Sequence, residues 1–247
     1  MGVVATFLAL FAASALTVFS IRKKRDQARQ QAAEALAQRL GLSFHKEDSF
    51  GLLAQLKDFD LFHRERRWLG RNGRVRNILR GTVEGTEVFL FEYTYLVSTG
   101  KSTHRVSQTV FFANDKNWYL PNFRLKPETW WHKVRGLFDK SDIQFPDNPE
   151  FSDQFWVTGQ FDSLIRKTFS PDIQQFLSER PPVHLEGNNF YLLAYKPGTL
   201  LPPESIGVFF QQLCHLVALL KKEDKMELLN LAEIQALPAP DSLLREP

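Results

Sequence analysis

The chain opens on an unbroken apolar run. From Gly2 to Ile21 it has no charge, no proline and no side-chain amide, and Arg22, Lys23, Lys24 and Arg25 close the run. Twenty residues at a helical rise of about 1.5 Å span about 30 Å, the thickness of a bilayer's hydrocarbon core. A helix satisfies its own backbone polar groups, as lipid requires. The pattern predicts a transmembrane helix over residues 2–21. Ala13-Ser14-Ala15 resembles a signal-peptidase site, but a signal peptide carries its cations ahead of the apolar run and here they follow it. The run therefore reads as a retained, single-pass anchor. Cations on the trailing flank place the amino terminus outside and the body in the cytoplasm, at the cytoplasmic membrane. Met1-Gly2-Val3-Val4-Ala5-Thr6 fits an N-myristoylation pattern. We read it as a chance match, since a lipid ahead of a spanning helix adds little.

Residues 22–40 continue at helical spacing, polar on most faces, and Gly41 supplies the stop. They are expected to form a juxtamembrane stalk. Asp48-Ser49 starts a short helix, Phe50 to Leu56. A basic stretch follows, with Gly70, Asn72 and Gly73 marking a turn. The period then changes to two. Val75, Ile78, Val83, Val88, Phe89, Phe91, Tyr93, Tyr95 and Val97, interrupted at Glu84-Gly85 and Thr99-Gly100-Lys101, predict a meander with Arg105 to Ala113 and Trp118-Tyr119-Leu120. Lys126-Pro127-Glu128 is expected to open a helix bearing Trp130 and Trp131.

In the second half, Phe155 to Thr158 reads as a strand and 162–178 as helix broken near Ser170-Pro171. Val183 to Leu185 and Phe190 to Tyr195 read as strands around Glu186-Gly187-Asn188. Pro202-Pro203-Glu204 opens a long helix whose Ile206, Phe209, Phe210, Leu213, Val217 and Leu220 form its apolar face. Gln211, Gln212 and His215 interrupt that face, so a core helix is expected rather than a second span. Residues 223–247 form an acidic helix or tail.

The fold class expected is α+β: a β-meander and hairpins packed with helices over residues 41–222, behind the anchor. Glu84 to Tyr93 aligns with Glu186 to Tyr195 at four identities in ten positions, each flanked by an Asp-Ser helix start and a Pro-Glu helix start. One reading is two similar halves that arose by duplication. The other is two hairpins that each need a glycine turn.

Composition adds little to this picture except through charge. Hydrophobic residues at 43% and charged residues at 24% are ordinary for a globular body. The formal net charge is +3, yet without the Arg22–Arg25 cluster 27 basic residues face 28 acidic ones. A body this neutral argues against nucleic-acid binding. The single cysteine, Cys214, stands among Leu213, His215, Leu216 and Val217 and reads as a small buried thiol, which excludes a disulfide framework.

Catalytic signatures are missing from the sequence. Gly100-Lys101-Ser102 resembles the end of a phosphate-cradling loop, but Tyr95 stands where the first glycine is needed and a strand follows instead of a helix. The histidines, His45, His63, His104, His132, His184 and His215, form no zinc-like spacing with one another or with Cys214, and His215 is expected in the core. No Gly-x-Ser-x-Gly elbow occurs. No metal or cofactor is expected.

The candidate binding residues are Arg64, Arg66, Arg67, Trp68, Arg71, Arg74 and Arg76. Each cation near an anionic surface contributes about 1 kcal/mol, and tryptophan favours the interface. Anionic lipid headgroups or a membrane-protein partner suit them. The plainer reading is a solvated loop paired with the body's acids.

Arg80-Gly81 with Glu84-Gly85, Phe91-Glu92-Tyr93-Thr94-Tyr95, Gln108-Thr109-Val110, Leu120-Pro121-Asn122-Phe123-Arg124-Leu125-Lys126-Pro127-Glu128 and Asp142-Ile143-Gln144-Phe145 make the chain resemble a family of uncharacterised bacterial single-span membrane-anchored proteins. The resemblance covers roughly residues 41–222 and the anchor. It implies a bacterial cytoplasmic-membrane protein and supplies no site residues.

The function expected is a membrane-tethered, non-enzymatic binding or scaffold protein. The alternatives are a hydrolase acting on a membrane substrate, which needs two or more of Glu84, Glu92, His104, Glu128 and His184 to meet in a pocket, and an assembly factor whose acidic tail recruits a basic partner.

Overall fold

The computed structural model describes the backbone of residues 2–62, 73–98, 101–128 and 142–236, and side chains within those ranges apart from 2–16, 18, 22, 98 and 223–236. Helices α1 (Gly2–Leu40), α2 (Leu52–Gln55), α3 (Pro149–Gln154), α4 (Asp162–Thr168), α5 (Pro171–Ser178) and α6 (Pro203–Ala236) accompany strands β1 (Ser43–Glu47), β2 (Arg74–Val83), β3 (Thr86–Ser98), β4 (Thr103–Asn114), β5 (Leu120–Pro127), β6 (Phe155–Gly159), β7 (His184–Asn189) and β8 (Tyr191–Tyr195). The strands form one antiparallel sheet in the order β1-β2-β3-β4-β8-β7-β5-β6. The class is α+β.

Both faces of the sheet are covered, so its central strands are apolar on both sides. One face carries Leu79, Val88, Leu90, Phe111, Leu125, Val157 and Leu192 under α1, α3, α4, α5 and α6. The other carries Ile78, Phe89, Phe91, Phe112 and Leu193 under α2 and residues 56–62. The apolar stripe expected on α6 is buried at Ile206, Phe209, Phe210, Leu213, Val217 and Leu220.

Helix α1 is not a free stalk over its second half. Ala33, Leu36 and Ala37 are buried in the core. Two alanines let the helix lie close on the sheet, a contact that a count of polar residues hides. Gly41, at φ +68°, ends it, and the Leu42 N–H donates to the Ala37 carbonyl. The Asp48 carboxylate accepts from the Phe50, Leu52 and Leu53 amides and caps α2, which is shorter than expected and runs on as a 3-10 turn, Leu56–Asp58.

The meander stops after β4. The expected next strand, β5, pairs with β7 and β6 instead, because β8 occupies the edge of β4, with Leu192, Leu193 and Ala194 wholly buried there. At the crossover, the Asp115 carboxylate accepts from Thr86 Oγ1 at 2.6 Å, from Lys221 Nζ at 2.9 Å and from the Asn117 amide at 3.0 Å. Lys221 also donates to the Glu84 carbonyl, so α6 is pinned to the β2–β3 turn. Burial pushes the Asp115 carboxyl up, but these donors outweigh it and hold it below the ordinary value. Lys126-Pro127-Glu128 does not open a helix as expected: Lys126 and Pro127 pair with Trp156 and Phe155 as the end of β5 and Glu128 is irregular, while residues 129–141, where Trp130 and Trp131 stand, lie outside the described residues.

The two aligned hairpins turn at different places. Glu84 and Gly85 form the β2–β3 turn with φ of 49° and 83°, whereas the second hairpin turns at Asn189-Phe190, with Asn189 at φ 51°. The alignment thus sets turn residues over strand residues. Gly187 lies within β7, where a Cβ would come 2.2 Å from Phe123 Cε1. Phe123 is itself fixed edge-on against Phe169.

The two glycines therefore differ in cost. Gly187→Ala is expected to destabilise by about 2–3 kcal/mol through overpacking, and Gly85→Ala by about 1 kcal/mol through left-handed strain. Thermal unfolding of the full chain in detergent reads both. Asp115→Ala is expected to cost about 2–3 kcal/mol at neutral pH, since it leaves the Lys221 charge without its carboxylate and the Thr86 hydroxyl without its acceptor. Because the folded carboxyl sits below its ordinary 3.8, this stabilisation is present above that pH and is lost as pH falls through the folded value. Wild-type and variant unfolding curves recorded against pH should converge in acid.

Candidate functional site

Three strands change character along the face that α1 covers. On β3 the inward positions run Val88, Leu90, then Glu92 and Thr94. On β4 they run Ala113, Phe111, then Thr109, Ser107 and Arg105. Thr94 and Ser107 hydrogen-bond across the strands at 2.8 Å. The core ends there and a polar region begins.

Strand β2 reaches the same result by a bulge. Arg76 stands opposite Glu92 and Leu79 opposite Leu90, so Asn77 and Ile78 of β2 face the single residue Phe91 of β3. Asn77 absorbs the extra residue at φ 49° and is buried. The bulge shifts the alternation, so Val75 and Ile78 face one core while Arg76 reaches Asp26 of α1. Asparagine is among the few non-glycine residues that tolerate this conformation.

The result is a cavity of about 630 Å³ between α1 and the ends of β1 to β4. Six cations line it, Lys23, Arg29, Lys46, Arg74, Arg76 and Arg105, against three carboxylates, Asp26, Glu47 and Glu92. Each carboxylate holds one arginine: Arg29 to Glu92 at 2.8 Å, Arg76 to Asp26 at 3.9 Å, and Arg74 to Glu47. Arg29 also donates to the Leu201 carbonyl. Lys23, Lys46 and Arg105 are exposed and make no ion pair among the described residues. Unlike a typical ligand pocket, mostly apolar with a few polar groups, this cavity is lined by charge and suits an anion.

Opposite it, on the other face, Glu186 is almost wholly buried. Its carboxylate accepts from the Asp60 amide at 2.7 Å, the Leu61 amide at 3.3 Å and the Tyr195 hydroxyl at 2.8 Å. Burial pushes its carboxyl above the ordinary value despite these donors. Arg124 approaches Asp60 at 3.5 Å. This cluster clamps the chain just ahead of the arginine-rich stretch.

Of the residues picked out in the sequence, Lys23, Arg74 and Arg76 come together in the cavity. Lys24 and Arg25 are exposed on α1, and the Arg22 side chain lies outside the described residues. Arg64, Arg66, Arg67, Trp68 and Arg71 also fall outside them, between Phe62 and Gly73. Sequence reading missed Arg29, Lys46, Asn77 and Arg105. The signal was there in Glu92, Thr94, Ser107 and Arg105, polar residues at positions where the strand alternation calls for apolar ones.

The residues of the proposed hydrolase constellation stand at several places on the sheet. Glu84 is at the β2–β3 turn, Glu92 in the cavity, His104 near the β3–β4 tip beside Ser102, Glu128 past the end of β5 and His184 on β7 against Tyr195. His215 is exposed against Phe176, not in the core, while burial pushes the Cys214 thiol up to about 11. Among the described residues, no group of three or more His, Cys, Asp or Glu could hold a metal.

No family model matches the chain, and no curated protein matches it. Among solved structures, the mycobacterial trehalose monomycolate transport factor A, TtfA, is similar at 13% identity and a TM-score of 0.49, over 76% of this chain and 93% of that one.

The bulge is testable apart from the charges. Asn77→Gly is expected to leave stability nearly unchanged, and Asn77→Val to cost about 1–3 kcal/mol, since a β-branched residue resists a positive φ. Urea unfolding of both variants decides this.

Proposed function

We propose that the chain is a membrane-tethered, non-enzymatic binding protein of a bacterial cytoplasmic membrane, with its body on the cytoplasmic side. The observation that carries this reading is the continuity of α1. One helix runs from Gly2 to Leu40, so the uncharged run of residues 2–21 leads without a break into the segment buried in the core. Among the described residues no helix is long and apolar enough to cross a membrane, and most of the 2–21 run lies where side chains are outside that set. The reading rests on the sequence of that run, on the four cations that follow it, and on the cationic cavity where α1 leaves the body.

Position supports binding over catalysis. Moving along α1 from Ala37 toward Asp26, the facing strand residues pass from Leu79 and Val88 to Arg76 and Glu92. The apolar run thus leaves past the same end of the sheet that carries Arg74, Arg105 and the β3–β4 tip. The arginine-rich stretch joins β2 at that end. A tether there holds the cationic end of the sheet toward headgroups, where each cation is worth about 1 kcal/mol.

The full chain is expected to stay with vesicles in alkaline carbonate, and a chain lacking residues 2–21 to appear in the soluble fraction. Release of the full chain by carbonate would overturn the tether.

A further inference from the structure

We propose that the cavity between α1 and β1 to β4 is a site for a phosphodiester, specifically the headgroup of an anionic phospholipid. The inference rests on the tether reading, which sets this cavity at headgroup depth. Its chemistry comes from the cavity itself.

The three carboxylates of the cavity are each engaged by an arginine, in pairs that link α1 to β2 and β3 and β1 to β2. Three cations remain without a carboxylate among the described residues. They come from three separate elements: Lys23 from α1, Lys46 from β1 and Arg105 from β4. All three line the same cavity and give it a net positive charge. An anion bound in the cavity offsets that charge. Two ammonium groups and one guanidinium supply point charges and a planar donor fork, a combination suited to phosphate oxygens.

The surroundings select a lipid. Phe19 also lines the cavity, and it and Ile21 are exposed large apolar side chains just ahead of Lys23. The cavity is thus polar on its sheet side and apolar where α1 departs. A headgroup with its phosphate among Lys23, Lys46 and Arg105 can run its glycerol and acyl chains along Phe19. The volume of about 630 Å³ falls within the range of ligand pockets, about 300–1,000 Å³.

The test titrates the full chain, purified in non-ionic detergent, with dihexanoyl phosphatidylglycerol, dihexanoyl phosphatidylcholine and inorganic phosphate, followed by calorimetry. Wild type is compared with a Lys46→Glu, Arg105→Glu double variant and with Lys222→Glu, an exposed charge on α6 paired with Asp172 outside the cavity. The double variant is expected to bind phosphatidylglycerol at least tenfold more weakly, with its melting temperature unchanged and Lys222→Glu like wild type. Equal binding by all three proteins, or phosphatidylcholine bound as tightly as phosphatidylglycerol, would overturn the site. Inorganic phosphate bound as tightly as the lipid would overturn the lipid as its source. Because detergent replaces the bilayer, these outcomes are independent of carbonate release, which bears on the tether alone.

Discussion

The packing of one short stripe, Ala33, Leu36 and Ala37, against the sheet governs how the rest of this molecule is arranged. That contact fixes the direction of α1, and α1 carries the apolar run. Small side chains permit close approach, and the stripe joins the core cluster that holds Leu79, Val88 and Leu90. One turn nearer the amino terminus the partners become charged, and Arg29 meets Glu92. A half-buried, hydrogen-bonded pair of this kind adds little net stability. It does fix register, because sliding the helix by one turn would leave both charges unpaired beside the core.

The bulge at Asn77 follows from the same constraint. Strand β2 must present Leu79 to α1 within the core and arginines to α1 beyond it, while Val75 and Ile78 fill the opposite face. Strict alternation cannot meet both demands at this register. One extra residue in a left-handed conformation does. Local strain is accepted where the surrounding pairing over-determines it, and here that pairing is the long β2–β3 ladder. The cationic cavity is therefore a consequence of how the core ends.

Much of this was legible in the sequence where one periodicity ran undisturbed. The stripe of α6, the strands β3 and β4, the Gly41 stop and the break at Ser170-Pro171 all announced themselves through spacing or turn chemistry. What was not legible depended on partners distant in the chain. Glu186-Gly187-Asn188 looks like a turn, but Gly187 is a strand glycine whose missing Cβ makes room for Phe123. Residues 22–40 look like a solvated stalk because their buried stripe is two alanines and one leucine. The hand-over from β4 to β8 cannot be read locally, since it pairs residues about eighty positions apart. At the site, the basic cluster and two arginines of β2 were visible as charge runs. Lys46 and Arg105 stand alone in their strands, and only the topology sets them on the same cavity as Lys23.

Hydrogen–deuterium exchange on the full chain in bilayer nanodiscs tests the central claim, that one helix is at once membrane anchor and core element. The account predicts slow exchange continuous from the apolar run through Leu40, with the amides around Ala33 to Ala37 as protected as those of β3. Fast exchange across residues 22–40, typical of a solvated helix, would contradict it.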